Sequence, residues 1–139
     1  MYICKICQES PNSHSFDILQ EDDNHIIFYS CLAKATKPFD HVGILSHYTG
    51  MLTSKKDKKW TWIIDGKNAN TKIVDTKIAI SLLKLCQTHI GSLEKIIIIN
   101  PNASIKGILN LTFPLLSKKM QNLITYESNF DLDEVNLTI

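Results

Sequence analysis

The pattern of apolar and polar positions along the chain predicts strands that alternate with amphipathic helices. Three runs are apolar, β-branched or aromatic in the manner of strands: residues 26–30, 60–65 and 95–100. A fourth run covers residues 122–126, and an earlier short strand is expected within residues 1–7 or 16–19. Residues 96–99 are all isoleucine, so both faces of that strand are apolar, as in the centre of a parallel sheet covered by helices.

Three segments between these strands place their apolar residues on one helical face. The first covers residues 39–52, with Asp40 as its N-cap, and the second covers residues 75–89, with Gly91 as an αL cap. The third, residues 105–116, is capped by Asn102 or Ser104 and kinks or ends near Pro114. The alternation predicts an α/β fold with a mostly parallel sheet and flanking helices.

Length and charge exclude several classes of protein. A chain of 139 residues without repeats or low-complexity segments is about one domain. Its net charge is +1 and all fifteen basic residues are lysine, so nucleic-acid binding is not expected. No apolar run approaches the roughly 20 residues of a membrane span, and the first residues do not resemble a signal peptide. We therefore expect a cytoplasmic protein with its cysteines as thiols.

From Trp60 onward, four linked motifs resemble those of the CRAL-TRIO lipid-binding domain, the family of the yeast phosphatidylinositol-transfer protein. Residues 62–66 (Trp-Ile-Ile-Asp-Gly) are similar to its strand that ends in Asp and a small residue. Residues 82–89 resemble its helix that ends in Gln and an aromatic, and residues 97–101 resemble its Ile-Ile-Asn-x-Pro strand end. Residues 113–119 resemble the segment before its last strand. The whole chain, residues 1–139, is then expected to form one such domain, without the N-terminal helical bundle and with only residues 130–139 in place of the gate.

The resemblance implies an apolar pocket that binds a lipid or another small hydrophobic ligand without catalysis. Each buried methylene of such a ligand contributes about 0.8 kcal/mol, while a few polar groups define its identity. The expected lining residues are Phe28, Leu45, Tyr48, Ile64, Ile98, Ile108 and Phe113. Gly91 and Asn122 stand where the phosphatidylinositol-binding members carry an acidic residue and a lysine, so recognition of that headgroup is not expected.

Candidate metal and catalytic residues form no complete motif in the sequence. Cys4 and Cys7 have the spacing of a metal or redox pair, but His14 is the one histidine near them along the chain, and two simple thiols are expected. Neither a cofactor nor a metal is therefore predicted. A Gly-x-Ser-x-Gly elbow and a glycine-rich phosphate loop are both absent. Asp65 lies at a strand end, where α/β proteins place ligand sites, but it is expected to cap a turn.

Two other hypotheses remain open at the level of sequence. The same fold could act without a ligand as a protein-interaction adaptor or homodimeric scaffold, in which a partner covers the apolar pocket. A small α/β enzyme with its site near Asp65 and Asn100 is the third hypothesis. Four lysines just before the predicted strand at residues 60–65, Lys55, Lys56, Lys58 and Lys59, predict no more than a transient contact with an anionic membrane. Each lysine near such a surface contributes only about 1 kcal/mol.

Overall fold

The computed structural model describes residues 2–70 and 72–127. The strands are β1 (Asp17–Glu21), β2 (His25–Cys31), β3 (Lys59–Asp65), β4 (Leu93–Ile99) and β5 (Ile124–Glu127). The α-helices are α1 (Lys5–Glu9), α2 (His41–Ser54), α3 (Thr76–Thr88), α4 (Ala103–Thr112) and α5 (Lys118–Leu123). Two short 3₁₀ helices, Leu32–Lys34 and Phe113–Leu115, follow β2 and α4.

The five strands form one sheet whose spatial order is their order in the sequence. β1 pairs with β2 in the antiparallel sense, and β2, β3, β4 and β5 run parallel to one another. The predicted α/β fold with a mostly parallel sheet is confirmed. From β2 to β5, each new strand is added on the same side of the strand before it, and crossovers between parallel strands are right-handed. The helices α2, α3 and α4 therefore all pack on one face of the sheet.

The four consecutive isoleucines of β4 alternate between the two faces of the sheet, and their partners in β3 show which face each one occupies. Ile98 lies beside Ile64 of β3, and both belong to the main core beneath the helices. Ile97 lies beside Ile63, and both belong to a smaller apolar cluster on the opposite face of the sheet. The sequence pattern could not separate these faces because every position in the run is apolar.

Short polar side chains begin the helices as the pattern predicts. Asp40 accepts a hydrogen bond from the backbone N–H of Gly43 at the start of α2. Asn102, rather than Ser104, caps α4, because its Oδ1 accepts from the backbone N–H of Ile105 at 3.0 Å. α4 ends at Thr112, and Pro114 lies in the 3₁₀ helix that follows, so the predicted ending near this proline is confirmed.

The early strand is β1, which overlaps the second of its two predicted places, residues 16–19, whereas Lys5–Glu9 is helical. Two other details differ from the prediction. Gly91 does not form an αL cap, because no described glycine has a positive φ. After α3, turn hydrogen bonds from His89 to Cys86 and from Ile90 to Gln87 end the helix without one. The last strand begins at Ile124 because residues 118–123 form α5, and the predicted gate remnant, residues 130–139, lies outside the described residues.

Candidate functional site

An apolar cavity of about 100 Å³ lies between the helices and the sheet. β3 and β4 form its floor through Trp62, Ile64 and Ile98, and nearly all of its lining surface is apolar. The helices contribute the walls: Ile44 and Tyr48 from α2, Ile78, Ala79, Leu82 and Leu83 from α3, and Ile105, Ile108 and Leu109 from α4. An engineered apolar cavity of about 150 Å³ stays dry and binds benzene, so this smaller cavity limits its occupant to an apolar group of a few carbon atoms.

Four of the seven expected lining residues contact this cavity. They are Tyr48, Ile64, Ile98 and Ile108. Phe28 is buried beneath α2, where it stacks on Phe16 with ring centroids 4.4 Å apart. Leu45 and Phe113 pack against the edge of the main core without lining the cavity. Ligand contact by any of the seven stays a prediction.

Five further cavity residues lie in the connections after β2 and β3, where the sequence predicts no lining residue. Leu32, Ala35 and Pro38 follow β2, and Ile73 and Val74 follow β3. No helical or strand period selects such positions, so the sequence carried no signal for them beyond their apolar character. These segments follow the carboxyl ends of two parallel strands, which is the edge where ligands bind in open α/β sheets.

The polar atoms beside the cavity satisfy one another. The Trp62 indole N–H donates to Ser30 Oγ at 2.9 Å, and the Ser30 hydroxyl donates to Tyr48 Oη at 3.1 Å. Tyr48 in turn donates to the backbone oxygen of Ser15. Complete burial raises the pKa of Tyr48, so its hydroxyl stays protonated and neutral. A molecule in the cavity therefore meets surfaces that favour apolar groups rather than a charged or strongly polar one.

Asp65 joins the carboxyl ends of β2, β3 and β4. Its carboxylate accepts hydrogen bonds from Tyr29 Oη at 2.7 Å, from Asn100 Nδ2 at 2.9 Å and from the backbone N–H of Lys67 at 2.9 Å. Burial raises the pKa of Asp65, but these hydrogen bonds outweigh burial and the net pKa lies below the ordinary value. Burial and the neighbouring carboxylate raise the pKa of Tyr29. The contact with the backbone N–H of Lys67 is the turn cap that the sequence predicted for this strand end.

A close backbone approach follows directly after Asp65. A Cβ atom at Gly66 would lie 2.8 Å from the backbone oxygen of Asn100, a distance that real side chains do not adopt. Asn100 itself has a φ of 48°, in the left-handed region that asparagine tolerates better than most residues. The Asp-Gly and Asn-Pro pairs at these strand ends therefore let β3 and β4 turn into their crossovers side by side.

A second cluster of chemically active side chains lies between the N-terminal segment and α2. Cys4, Cys7, His14 and His47 place one ligand atom each within 4.8 Å of all the others. Each sulfur is 3.3–3.7 Å from the Nδ1 atom of both histidines. The sequence does not reveal this cluster, because His47 follows Cys7 by 40 positions and lies on a helix. This cluster is the part of the described chain whose donor set suits a soft metal ion.

The lysine-rich segment before β3 is partly neutralised. Glu21 of β1 forms ion pairs with Lys55 at 2.9 Å and Lys58 at 2.6 Å, and hydrogen bonds from these lysines lower the pKa of Glu21. Lys59 lies 4.0 Å from Glu94. A contact with an anionic membrane stays a prediction, with less free positive charge than the sequence suggested.

Comparison with known proteins identifies one family. A search of the curated proteins finds no significant match. None of the described helices is long and apolar enough to cross a bilayer. The family model of the CRAL/TRIO domain matches residues 23–138. This match covers most of the chain, so the protein belongs to the CRAL/TRIO family, whose domains generally bind lipophilic ligands and do not catalyse reactions.

Proposed function

We propose that the protein binds the apolar part of a lipid, such as an acyl chain, in the cavity between α3 and the sheet, without catalysis. The observation that carries the proposal is the cavity itself, since close-packed interiors have few voids of this size. Each methylene of an apolar occupant that leaves water for this cavity contributes about 0.8 kcal/mol. The ligand binds through buried area, because the polar atoms beside the cavity already have partners.

The cavity volume limits how much of a ligand it holds. About 100 Å³ accommodates a few carbon atoms, so the end of an acyl chain enters it and the remainder extends outward. We infer that the exit lies between the segments after β2 and β3, because Pro38 and Val74 line the cavity and are themselves partly exposed. A phosphatidylinositol headgroup is not part of the proposal, because the family's acidic residue and lysine are replaced by Gly91 and Asn122.

The proposal is tested with cis-parinaric acid, an acyl chain that fluoresces in apolar surroundings. Trp62 lines the cavity, so bound probe should quench tryptophan emission by energy transfer and gain fluorescence in a saturable titration of the full chain. Unlabelled fatty acid should displace it. Native mass spectrometry of the purified protein provides a second measurement of any ligand carried from the cell.

A cavity-filling variant locates the binding site. Ala79 of α3 lines the cavity, and Ala79→Phe places a ring there, so probe affinity should fall at least about tenfold. The matched control is Ala103→Phe, the same change at an exposed position of α4 outside the cavity lining. Binding that survives Ala79→Phe in a folded variant would contradict this location, and an absence of saturable binding to the unaltered chain would contradict the function.

A protein-interaction adaptor is the alternative function. The favouring observation is that Phe39 and Val42, next to the cavity residue Pro38, are 56% and 80% exposed. Exposed apolar side chains beside a pocket are typical of an interface that a partner covers. Sedimentation velocity distinguishes the two functions: a stable dimer that Val42→Asp dissociates would favour the scaffold, and a monomer that binds the probe would favour the ligand carrier.

A further inference from the structure

Four ligand atoms meet in the cluster of Cys4, Cys7, His14 and His47. Together these sulfur and nitrogen atoms carry more lone pairs than protons. His14 Nε2 donates to Asp40 Oδ2 at 2.9 Å, and a carboxylate can accept but not donate. His47 Nε2 donates to the backbone oxygen of Phe16 at 2.9 Å, which is also an acceptor. In the neutral form that binds a metal, each imidazole therefore carries its proton on Nε2, and the Nδ1 lone pair faces the sulfurs.

Hydrogen bonds alone do not account for the contacts among these four side chains. Each of the two sulfurs approaches both Nδ1 atoms, which makes four contacts of 3.3–3.7 Å. Two thiols carry two protons between them, so at most two of the four contacts can be S–H···N hydrogen bonds. A cation at the centre, with both thiols deprotonated, would satisfy all four groups at once.

The distances agree with those of tetrahedral zinc. With bonds of about 2.3 Å to sulfur and about 2.0 Å to nitrogen, each sulfur in such a site lies about 3.5 Å from each nitrogen. The four sulfur–nitrogen distances, 3.3, 3.5, 3.5 and 3.7 Å, fall around this value. Both histidines also donate their second N–H to an oxygen, an arrangement that orients imidazole ligands in metal sites. The backbone N–H of Cys7 points to Cys4 Sγ at 3.3 Å.

We propose that Cys4, Cys7, His14 and His47 bind one Zn²⁺ ion in a closed structural site. Two thiolates and two neutral imidazoles favour zinc over hard cations such as Mg²⁺ or Ca²⁺, and four protein ligands leave no position for a substrate. Cys4, His14 and His47 are buried. Three of the ligands precede residue 23, where the family match begins, so the site is not implied by membership of the family.

A bound zinc ion would link residues 4–14 to helix α2. Cys4 and Cys7 flank the start of α1, whereas His47 lies in the middle of α2. His14 also lines the apolar cavity, so the metal would fix one wall of it. The proposal is independent of lipid binding, because it rests on the ligand atoms alone and its test requires no lipid.

Metal content of the full chain, purified without a metal-affinity tag, is the first test. Elemental analysis should give about one zinc per chain. After removal of zinc, Co²⁺ should give the intense visible bands of a tetrahedral site and the near-ultraviolet bands of thiolate ligands, and zinc should abolish both. Chelation should lower the melting temperature by about 10 °C. A metal-free chain that shows no cobalt bands and no thermal shift with zinc would overturn the proposal.

Matched variants test the identity of the ligands. Cys7→Ser and His47→Asn should reduce zinc content to background, whereas Cys31→Ser and His41→Asn, outside the cluster, should keep one zinc. Asp40→Asn retains a good N-cap for α2 but loses the carboxylate partner of His14, so zinc affinity should fall at least about tenfold in a folded protein. Loss of zinc in the control variants, or full affinity in Asp40→Asn and Cys7→Ser, would overturn the assignment.

Discussion

Asp65 is the residue whose contacts make the clearest prediction about pH. Its depressed pKa means that its ionised form stabilises the fold above the unfolded value of about 4, and that this contribution disappears as pH falls through the folded-state value. Asp65→Asn removes the charge and should lower the free energy of unfolding by about 1–2 kcal/mol at pH 7. Urea denaturation should show the difference from the unaltered chain shrinking as the pH falls below 4.

The control for this prediction is Asp75→Asn. Asp75 caps α3 through the backbone N–H groups of Lys77 and Ile78, and asparagine caps helices equally well, so little change is expected. A difference between the unaltered chain and Asp65→Asn that stays constant from pH 7 to pH 3 would show that the charge of Asp65 does not contribute.

Individual residues also show where inference from sequence ends. The turn role of Asp65 was predictable, because an Asp-Gly pair after an apolar run is a local signal. The approach of His47 to Cys4 and Cys7 was not, since it depends on how α2 packs against a segment 40 positions earlier. Apolar character alone predicts Tyr48, Ile64, Ile98 and Ile108 as cavity residues, and this character does not distinguish a cavity wall from solid core.

At the scale of the elements, one side chain both caps α4 and binds the loop that follows β3. Asn102 caps the helix through its Oδ1 atom, and its Nδ2 donates to the backbone oxygens of Gly66 at 3.0 Å and Ala69 at 2.9 Å. Asn102→Ala should lower the free energy of unfolding by about 2–3 kcal/mol, from one cap and two hydrogen bonds. Denaturant titration measures this loss.

Ser104 provides the comparison, because the sequence allowed either residue to cap α4. Ser104→Ala should change stability by less than about 0.5 kcal/mol, as expected of a position without a capping contact. Equal losses in the two variants would contradict the assignment of Asn102 as the cap.

Elements with strong periodicity were predictable, and short elements were not. The apolar runs of β2, β3 and β4 and the stripes of α3 and α4 are long enough for their period to be clear. α1 and α5 have five and six residues, too few for a stripe, so their conformation follows from tertiary contacts. Gly91 was expected to take a left-handed conformation because glycine tolerates it, but successive turns end α3 without that requirement.

At the scale of the whole molecule, α2, α3 and α4 pack on one face of the sheet. The core between these helices and the sheet differs from one end to the other. Aromatic rings fill one part: Phe16 stacks on Phe28 and Tyr48, with centroids 4.4 and 4.1 Å apart, and its edge contacts Trp62. Aliphatic side chains line the part that holds the cavity. The volume of the cavity is the small difference between the space that the helices and the sheet enclose and the volume of the side chains that fill it. Composition and period therefore could not predict it.

The most direct test of ligand binding in this cavity is a crystal structure of the full chain with a fatty acid brominated at its terminal carbon. The account predicts an anomalous bromine peak between α3 and the sheet, in contact with Ile64, Ile78 and Ile108. Bromine that binds only at the protein surface, beside a cavity that stays empty at saturating ligand, would contradict it.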